Sequence, residues 1–511
     1  MIRQFAIAIL VWACSVPALV SADKPQSRPN IILIMCDDMG FSDIGCYGGE
    51  VNTPNINRLA EQGLRFKQFY NNAKCTTTRA SLITGLYPRR SGPLLKPNMV
   101  TIAEVLHAAG YRTALSGKWH LGNRAPRRPS DRGFEQYFGL LDGCCNFFDP
   151  SIPDPKFKGG RIRWVAQDDK RITQFPEGFY MTDAISDYAV RRIEEYTKPT
   201  PENRKPFFLH VCYTAPHYPL HAKPKDIAKY QGRYLKGWEA LRKERFARQK
   251  KMGLIDPRWK LPEPDREVQA WKEAPHKKWQ DLRMAVYAAM IDSMDQGIGR
   301  ILKKLQETGI DRDTIVMFLS DNGGCAETPG GNNPKFIPGR KEFYTHCGPG
   351  WAYAQNTPFR RYKSWVHEGG ISTPFIARWP GRIKPNTWTN EVAHIIDLLP
   401  TCAELGKAKY PAKFRGHEIL PVEGKSIWPV LQGKTREGHD VLYWEWSGNR
   451  AIREGRWKLC WDRKVKHWEL YDVVADRTEM NDLASTHPER VDRMKQMWFA
   501  WAKKTGLRVR K

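Results

Sequence analysis

Residues Ile31 to Met35 form an unbroken apolar, β-branched run of strand length behind Asn30, the pattern of a strand buried on both faces of a parallel sheet. The run stops at Asp37-Asp38, and Gly40 and Gly45 follow. Thr53-Pro54 opens a helix carried by Ile56, Leu59 and Ala60 that ends near Gly63. Thr101 and Glu104 have the spacing of a capping box, which predicts a second helix stopping at Gly110, with Tyr111 to Leu115 as the next strand. Phe207 to Val211 reads as a further strand. Met284, Tyr287, Ala288, Ile291, Met294, Ile298, Ile301 and Leu305 then recur at helical spacing. Thr308-Gly309 ends that helix, and Thr314 to Leu319 predicts a strand running into Asp321-Asn322. This alternation predicts an α/β fold, a large mostly parallel sheet sandwiched by helices.

The pattern changes in two places. Residues 222–279 are polar, basic and proline-rich towards their end, which predicts a partly helical surface insertion. Pro411 to Gly433 reads as loops. Val441 to Trp446, Arg450 to Glu454, Trp457 to Asp462 and His467 to Tyr471 then have the length and alternation of antiparallel strands, before an amphipathic helix from Pro488 to Lys503. The expected organisation is a main domain over 23–424 and a smaller C-terminal α+β subdomain, containing an antiparallel sheet, over 425–511. Residues 1–22 read as a signal peptide: Arg3, an apolar stretch from Phe5 to Ala13, and Val20-Ser21-Ala22 as cleavage site. A periplasmic or secreted protein is expected, because the apolar stretch falls short of the ~20 residues of a membrane span. No later stretch is apolar enough to cross a membrane.

Charge narrows the partners. The chain has 82 basic and 55 acidic residues in 511, a formal charge of +27, which suits a polyanion. Export and the lack of any zinc-finger, RNA-binding or basic-zipper pattern argue against nucleic acid, leaving a sulfated polysaccharide as the better partner, with a basic surface that has no specific partner as the other reading.

Ligands in open α/β sheets gather at the carboxyl ends of the strands. Asp37-Asp38 and Asp321-Asn322 stand at two such ends and offer three carboxylates and an amide. Such hard oxygen ligands suit Ca²⁺ or Mg²⁺ rather than zinc. Lys118 and His120 are two residues apart, so on an extended strand both would face one side and reach one ligand. Asn146, Phe147, Phe148, His346, Tyr353, Arg360 and His367 are candidates for sugar contacts, with core packing as the other reading.

The segment Cys75-Thr76-Thr77-Thr78-Arg79-Ala80-Ser81-Leu82-Ile83-Thr84-Gly85 resembles the signature of the formylglycine-dependent sulfatases, of bacterial arylsulfatase type within the alkaline-phosphatase-like superfamily. Thr53-Pro54-Asn55-Ile56, Gly117-Lys118-Trp119-His120-Leu121-Gly122, Ala215-Pro216-His217, Asp321-Asn322-Gly323-Gly324 and Lys363 before Glu368-Gly369-Gly370 resemble the family's other landmarks, in order. Arg450 to Asp482 is similar to the C-terminal region of bacterial arylsulfatases. The resemblance implies that a maturation enzyme oxidises Cys75 to formylglycine, whose gem-diol supplies the nucleophile near Arg79. It implies one Ca²⁺ held by Asp37, Asp38, residue 75, Asp321 and Asn322, with Mg²⁺ as the alternative. Lys118 and Lys363 would offset sulfuryl charge, and His217 would protonate the leaving alkoxide. His120 would take a proton from the sulfated diol, expelling sulfate and restoring the aldehyde. Two positions depart from the family: Thr77 stands where proline is usual, a position read during maturation, and Arg361-Tyr362 stands where glycine is common. A sulfated carbohydrate is the expected substrate. The alternatives are a phosphodiesterase or phosphonate hydrolase of the same superfamily, and a non-catalytic binder of sulfated glycans. Of the eleven cysteines, setting aside Cys14 in the leader and Cys75 leaves nine. At least one of these is unpaired, and pairing of Cys144 or Cys145 stays open.

Overall fold

The computed structural model describes residues 28–88, 94–200 and 205–507. The leader expected over 1–22 lies outside the described residues. Ten strands form one sheet: β1 (Asn30–Cys36), β2 (Leu64–Tyr70), β3 (Arg112–Gly117), β4 (Gln136–Leu140), β5 (Val165–Gln167), β6 (Lys170–Ile172), β7 (Phe207–Cys212), β8 (Thr314–Ser320), β9 (Ser372–Arg378) and β10 (Thr387–His394). Their order is β10-β2-β9-β8-β1-β7-β3-β4-β5-β6. The central block β8-β1-β7-β3-β4 is parallel, β9 runs against both its neighbours, and β5 and β6 close one edge antiparallel. The architecture is thus the expected large, mostly parallel sheet.

Alternation along β1 shows why a continuous apolar run was needed. Ile32 and Ile34 enter the core on one face of the sheet, while Ile31, Leu33 and Met35 enter the core on the other. The predicted periodic helix runs over Lys277–Glu307 and packs in the first of these cores. The capping box is present: Thr101 accepts from the Glu104 N–H and heads the helix Ile102–Ala108.

After a short hairpin, β11 (Lys413–Phe414) and β12 (His417–Glu418), a separate four-stranded antiparallel sheet follows: β13 (Val441–Trp446), β14 (Asn449–Glu454), β15 (Trp457–Asp462) and β16 (His467–Asp472). The helix Pro488–Lys504 buries Met494 and Trp498 in the core it shares with Ile452 and Leu459 of this sheet.

The segment expected as a surface insertion is partly helical, and one of its helices is held by buried charge. In the helix Trp238–Lys251, Arg242 and Arg245 are fully buried. Arg242 donates to the carbonyls of Tyr353, Pro358 and Phe359, and Arg245 pairs with Asp43 at 2.6 Å and Glu50 at 2.8 Å. The helix is docked through its charged residues, so its buried face carries no apolar periodicity to read. The cysteine question also resolves: all ten described cysteines, Cys144 and Cys145 included, are free and buried. Among the described residues no helix is long and apolar enough to cross a membrane.

Candidate active site

Four adjacent parallel strands end at one place. Asp37 and Asp38 leave β1, Lys118 leaves β3, Asp321 and Asn322 leave β8, and the turn after β7 leads to His217. The ladder continues past the strands, with Lys118 N–H donating to Cys212 O (2.8 Å), Asp37 N–H to Ala215 O (3.0 Å) and Asp321 N–H to Cys36 O (3.1 Å). These bonds fix the depth of each side chain. Lys363 arrives on the loop before β9, where its N–H donates to Gly324 O (3.1 Å) and the next residue's to Ala73 O (2.8 Å).

Cys75 opens the helix Cys75–Thr84, whose positive end faces the strand ends. Arg79, one turn later, donates to Lys118 O and to Asp321 Oδ2, both at 2.8 Å. Thr77 turns its hydroxyl back to the carbonyls of Asn72 (3.0 Å) and Lys74 (2.9 Å). Asp38, Ala73, His120, Arg361 and Ser364 all have positive φ, between 58° and 75°, an uncommon conformation for non-glycine residues that clusters at functional sites.

The structure brings all ten predicted residues together: Asp37, Asp38, Cys75, Arg79, Lys118, His120, His217, Asp321, Asn322 and Lys363. Lys118 Nζ lies 2.5 Å from Asp37 Oδ2 and Lys363 Nζ 2.7 Å from Asp38 Oδ2. Asn322 Nδ2 donates to Asp38 Oδ1 at 2.7 Å. His120 Nδ1 lies 3.5 Å from Cys75 Sγ, while His217 Nε2 lies 3.3 Å from Lys363 Nζ and 3.5 Å from Asp38 Oδ2. The same-side reasoning for Lys118 and His120 is corrected. β3 ends at Gly117, and His120 reaches Cys75 by way of a left-handed backbone at φ 58°.

The donor set fits a hard dication. Asp37 Oδ1 and Asn322 Oδ1 are buried with no hydrogen-bond partner, and Asp37, Asp38 and His217 place ligand atoms within 4.8 Å of one another. Burial pushes the Asp37 carboxyl well above its usual range, helped by Asp321 and Asp38, and Lys118 does not fully offset this. For Asp38 burial acts the same way, but Lys363 and the Asn322 hydrogen bond win and hold it below the usual range. A cation at Asp37 Oδ1, which has only the Arg79 guanidinium at 3.8 Å, would remove that imbalance. The three carboxylates Asp37, Asp38 and Asp321 already balance Arg79, Lys118 and Lys363. A dication bound there would therefore leave an excess of two positive charges for anionic reactants.

Sequence reasoning missed the wall of this site. Glu327 accepts from Tyr218 OH at 2.6 Å and pairs with Lys74, the residue before Cys75. Tyr218 packs on His217 with ring centroids 4.2 Å apart and on Tyr344 at 5.9 Å, and the exposed Phe157 packs on Tyr344 at 5.6 Å. A Cβ at Gly143 would lie 2.7 Å from the His120 ring, so only glycine leaves that imidazole in place. The sugar candidates have internal partners instead. Phe147 and Phe148 pack on Tyr180 and His221, and Asn146 caps its own loop. His346 accepts from Arg283, Tyr353 OH donates to Pro262 O, Arg360 donates to Tyr471 and Glu479, and His367 pairs with Glu469. Internal partners engage all seven, and Phe148 and Arg360 are the two that stay part-exposed.

A family model described as "Sulfatase" matches residues 29–408, and one described as "N-sulphoglucosamine sulphohydrolase, C-terminal" matches 360–502. The chain belongs to the sulfatase family. The sulfatase is 33% identical to an uncharacterised sulfatase of Schizosaccharomyces pombe, over 94% of this chain and 95% of that one. It is also 33% identical to an arylsulfatase of Klebsiella aerogenes, over 80% of this chain and 94% of the other. A crystal structure of Ps i-CgsB bound to k-i-k-neocarrahexaose superposes with a TM-score of 0.68 at 25% identity, covering 93% of each chain. The sulfatase is accordingly a sulfuric ester hydrolase.

Proposed function

We propose that this sulfatase hydrolyses sulfate monoesters of a carbohydrate, using Cys75 after its oxidation to formylglycine by a maturation enzyme. Asp37, Asp38, residue 75, Asp321 and Asn322 would hold one Ca²⁺, or Mg²⁺ in its place. The observation that carries this reading is the placement of Cys75 at a helix N-terminus, 3.5 Å from His120 and beside an oxygen donor set with two unpaired atoms. Hydrated formylglycine supplies a hydroxyl nucleophile, and the cation supplies charge that favours its ionised form.

The chain's own residues do the rest. Each lysine ammonium has three donors. Lys118 gives one to Asp37, Lys363 gives one to Asp38 and one to His217 Nε2, and both keep a donor for sulfuryl oxygens, where charge gathers in the transition state. His217 Nδ1 lies 2.5 Å from Tyr218 O, which fixes the proton there and presents Nε2 to the substrate. Burial, then Lys363 and Lys118, hold His217 well below its ordinary pKa, so it rests neutral. An anionic ester offsets the neighbouring lysine charge, which favours protonation of Nε2 and its use as the acid for the leaving oxygen. His120 is likewise kept neutral, by burial and then Lys118 and Arg79, and it faces residue 75 as a base.

Carbohydrate is favoured over a small aryl ester by the +27 charge and by the rim of Tyr218, Tyr344 and Phe157, with Lys158 5.4 Å from the Tyr218 ring centroid. Ps i-CgsB, which is similar over nearly the whole chain, is solved with a neocarrahexaose. The test compares turnover of the sulfate and phosphate monoesters of one phenol by protein co-expressed with a formylglycine-generating enzyme. Faster sulfate release, abolished by Cys75→Ala, supports the proposal. Faster phosphate release, or turnover that survives Cys75→Ala, overturns it.

A further inference from the structure

Arg283, on the helix Lys277–Glu307, is 2% exposed and bonded only to neutral groups. Its Nε donates to His346 O (2.5 Å), Nη1 to Gln280 Oε1 (2.8 Å) and Nη2 to His346 Nδ1 (2.8 Å). His346 Nε2 lies 3.0 Å from Gly331 O, which places the ring proton on Nε2 and leaves Nδ1 as an acceptor. One face of the guanidinium stacks on Trp279 at 4.4 Å. Of its five N–H groups, one on each terminal nitrogen stays unused. Among the described residues no carboxylate comes within ion-pair distance.

The same guanidinium borders a cavity of about 270 Å³, together with Gln269, Gln280, Thr328, Asn332 and Gly348. Glu267 also borders it, but its carboxylate is engaged by Arg361, Tyr362 and Lys464. Arg283 borders a cavity whose wall carries Gln269, Thr328 and Asn332 beside Trp238 and Pro349, an arrangement able to receive an anion. A guanidinium's paired N–H groups match the geometry of sulfate and carboxylate. Thr328 directly follows Glu327, whose carboxylate ties Lys74 to Tyr218 at the wall of the catalytic cluster.

We propose that this cavity is a second anion site, in which Arg283 receives a sulfate or carboxylate group. The group belongs either to the substrate, as a second charged substituent, or to a free anion in solution. Only the substrate assignment rests on the sulfatase reading above; the anion site does not.

Crystals of the mature protein soaked in selenate, a sulfate analogue located by its anomalous scattering, test the site. The expected result is a selenate within hydrogen-bond distance of the Arg283 guanidinium. Selenate in the catalytic cluster with the cavity empty overturns the proposal. Selenate in the cavity alone upholds it and counts against the sulfatase reading. In solution, titration with inorganic sulfate should show a site weakened roughly ten-fold or more by R283Q. The paired change Thr328→Val with Asn332→Leu alters the exposed wall, leaves the buried arginine in place and should weaken the same site. Unchanged sulfate binding in both variants overturns the proposal. Loss of binding together with a reduced preference for a disulfated over a monosulfated saccharide assigns the substrate's second group. Loss of binding with the preference retained assigns a free anion.

Discussion

Replacing Lys458 by methionine should destabilise the protein and reverse part of its response to pH. Lys458 on β15 is fully buried and lies 2.8 Å from both Glu368 Oε1 and Glu479 Oε1. Glu368 sits five residues past Lys363, so this cluster fastens the C-terminal sheet to the loop that enters the active site. Methionine fills similar space but leaves two buried carboxylates facing each other. Glu368 keeps Arg477 at 2.7 Å, Ser372 Oγ at 2.8 Å and Tyr70 OH at 3.0 Å. Glu479 keeps the Glu368 N–H at 2.9 Å. Removing one partner of a buried ionic group costs about 3–5 kcal/mol. An unfolding entropy of ~2.1 cal/mol/K per residue, over 511 residues, then gives a thermal midpoint lowered by roughly 3–5 °C. In the wild type, burial opposes the Glu368 charge, but Lys458 and then Arg477 hold its carboxyl below the ordinary 4.5. That stabilisation is present above the unfolded carboxyl pKa and is lost as pH falls from there through the lower folded value. In the variant, Glu368 loses the cation that holds its carboxyl down while its burial remains, so it takes up a proton more readily folded than unfolded. The variant's deficit is therefore largest near pH ~8 and shrinks towards pH ~5. Scanning calorimetry of both proteins at the two pH values checks this. An equal midpoint at pH ~8, or a deficit that grows on acidification, would refute the reasoning.

Further outcomes follow from the same geometry. His217→Ala should slow release from a saccharide sulfate by ~10²-fold or more and should slow a nitrophenyl sulfate far less; equal losses would remove His217 as the acid. Burial holds His210 and His221 down to about 4, from an ordinary 6.5. The unfolded chain therefore binds these protons first, and stability present above pH 6.5 is lost between there and pH ~4, at up to about 3 kcal/mol per histidine. A thermal midpoint that stays flat over that window would contradict this. Chelation should abolish turnover and lower the midpoint, through a stability loss of about 2.7 kcal/mol if Ca²⁺ stood at 100 times its Kd, with both restored by added Ca²⁺. Unchanged turnover and midpoint after chelation would remove the cation from the account.

The centre of the sheet was legible because β1, β3, β7 and β8 are buried on both faces, so their apolar runs need no periodicity to be seen. The acidic pairs at the ends of β1 and β8 could then be placed at one edge before any geometry was known. Three kinds of feature stayed hidden. His120 reaches Cys75 through a left-handed residue, which no strand periodicity encodes. Arg242 and Arg245 anchor their helix by burying charge, so the pattern reads as surface. Lys458 and Glu368 are 90 positions apart, and each alone looks like an exposed charge; only the fold makes them partners. Glu327 escaped for the same reason, since its partners Lys74 and Tyr218 come from distant loops.

The central claim is that residue 75 works as an aldehyde. Trypsin would cut after Lys74 and Arg79 and leave a very short fragment, so a chymotryptic peptide spanning residue 75 is the one to weigh. The protein should be co-expressed with a formylglycine-generating enzyme. The account predicts a mass corresponding to the aldehyde in place of the thiol. An intact thiol throughout, in protein that still releases sulfate, would contradict it.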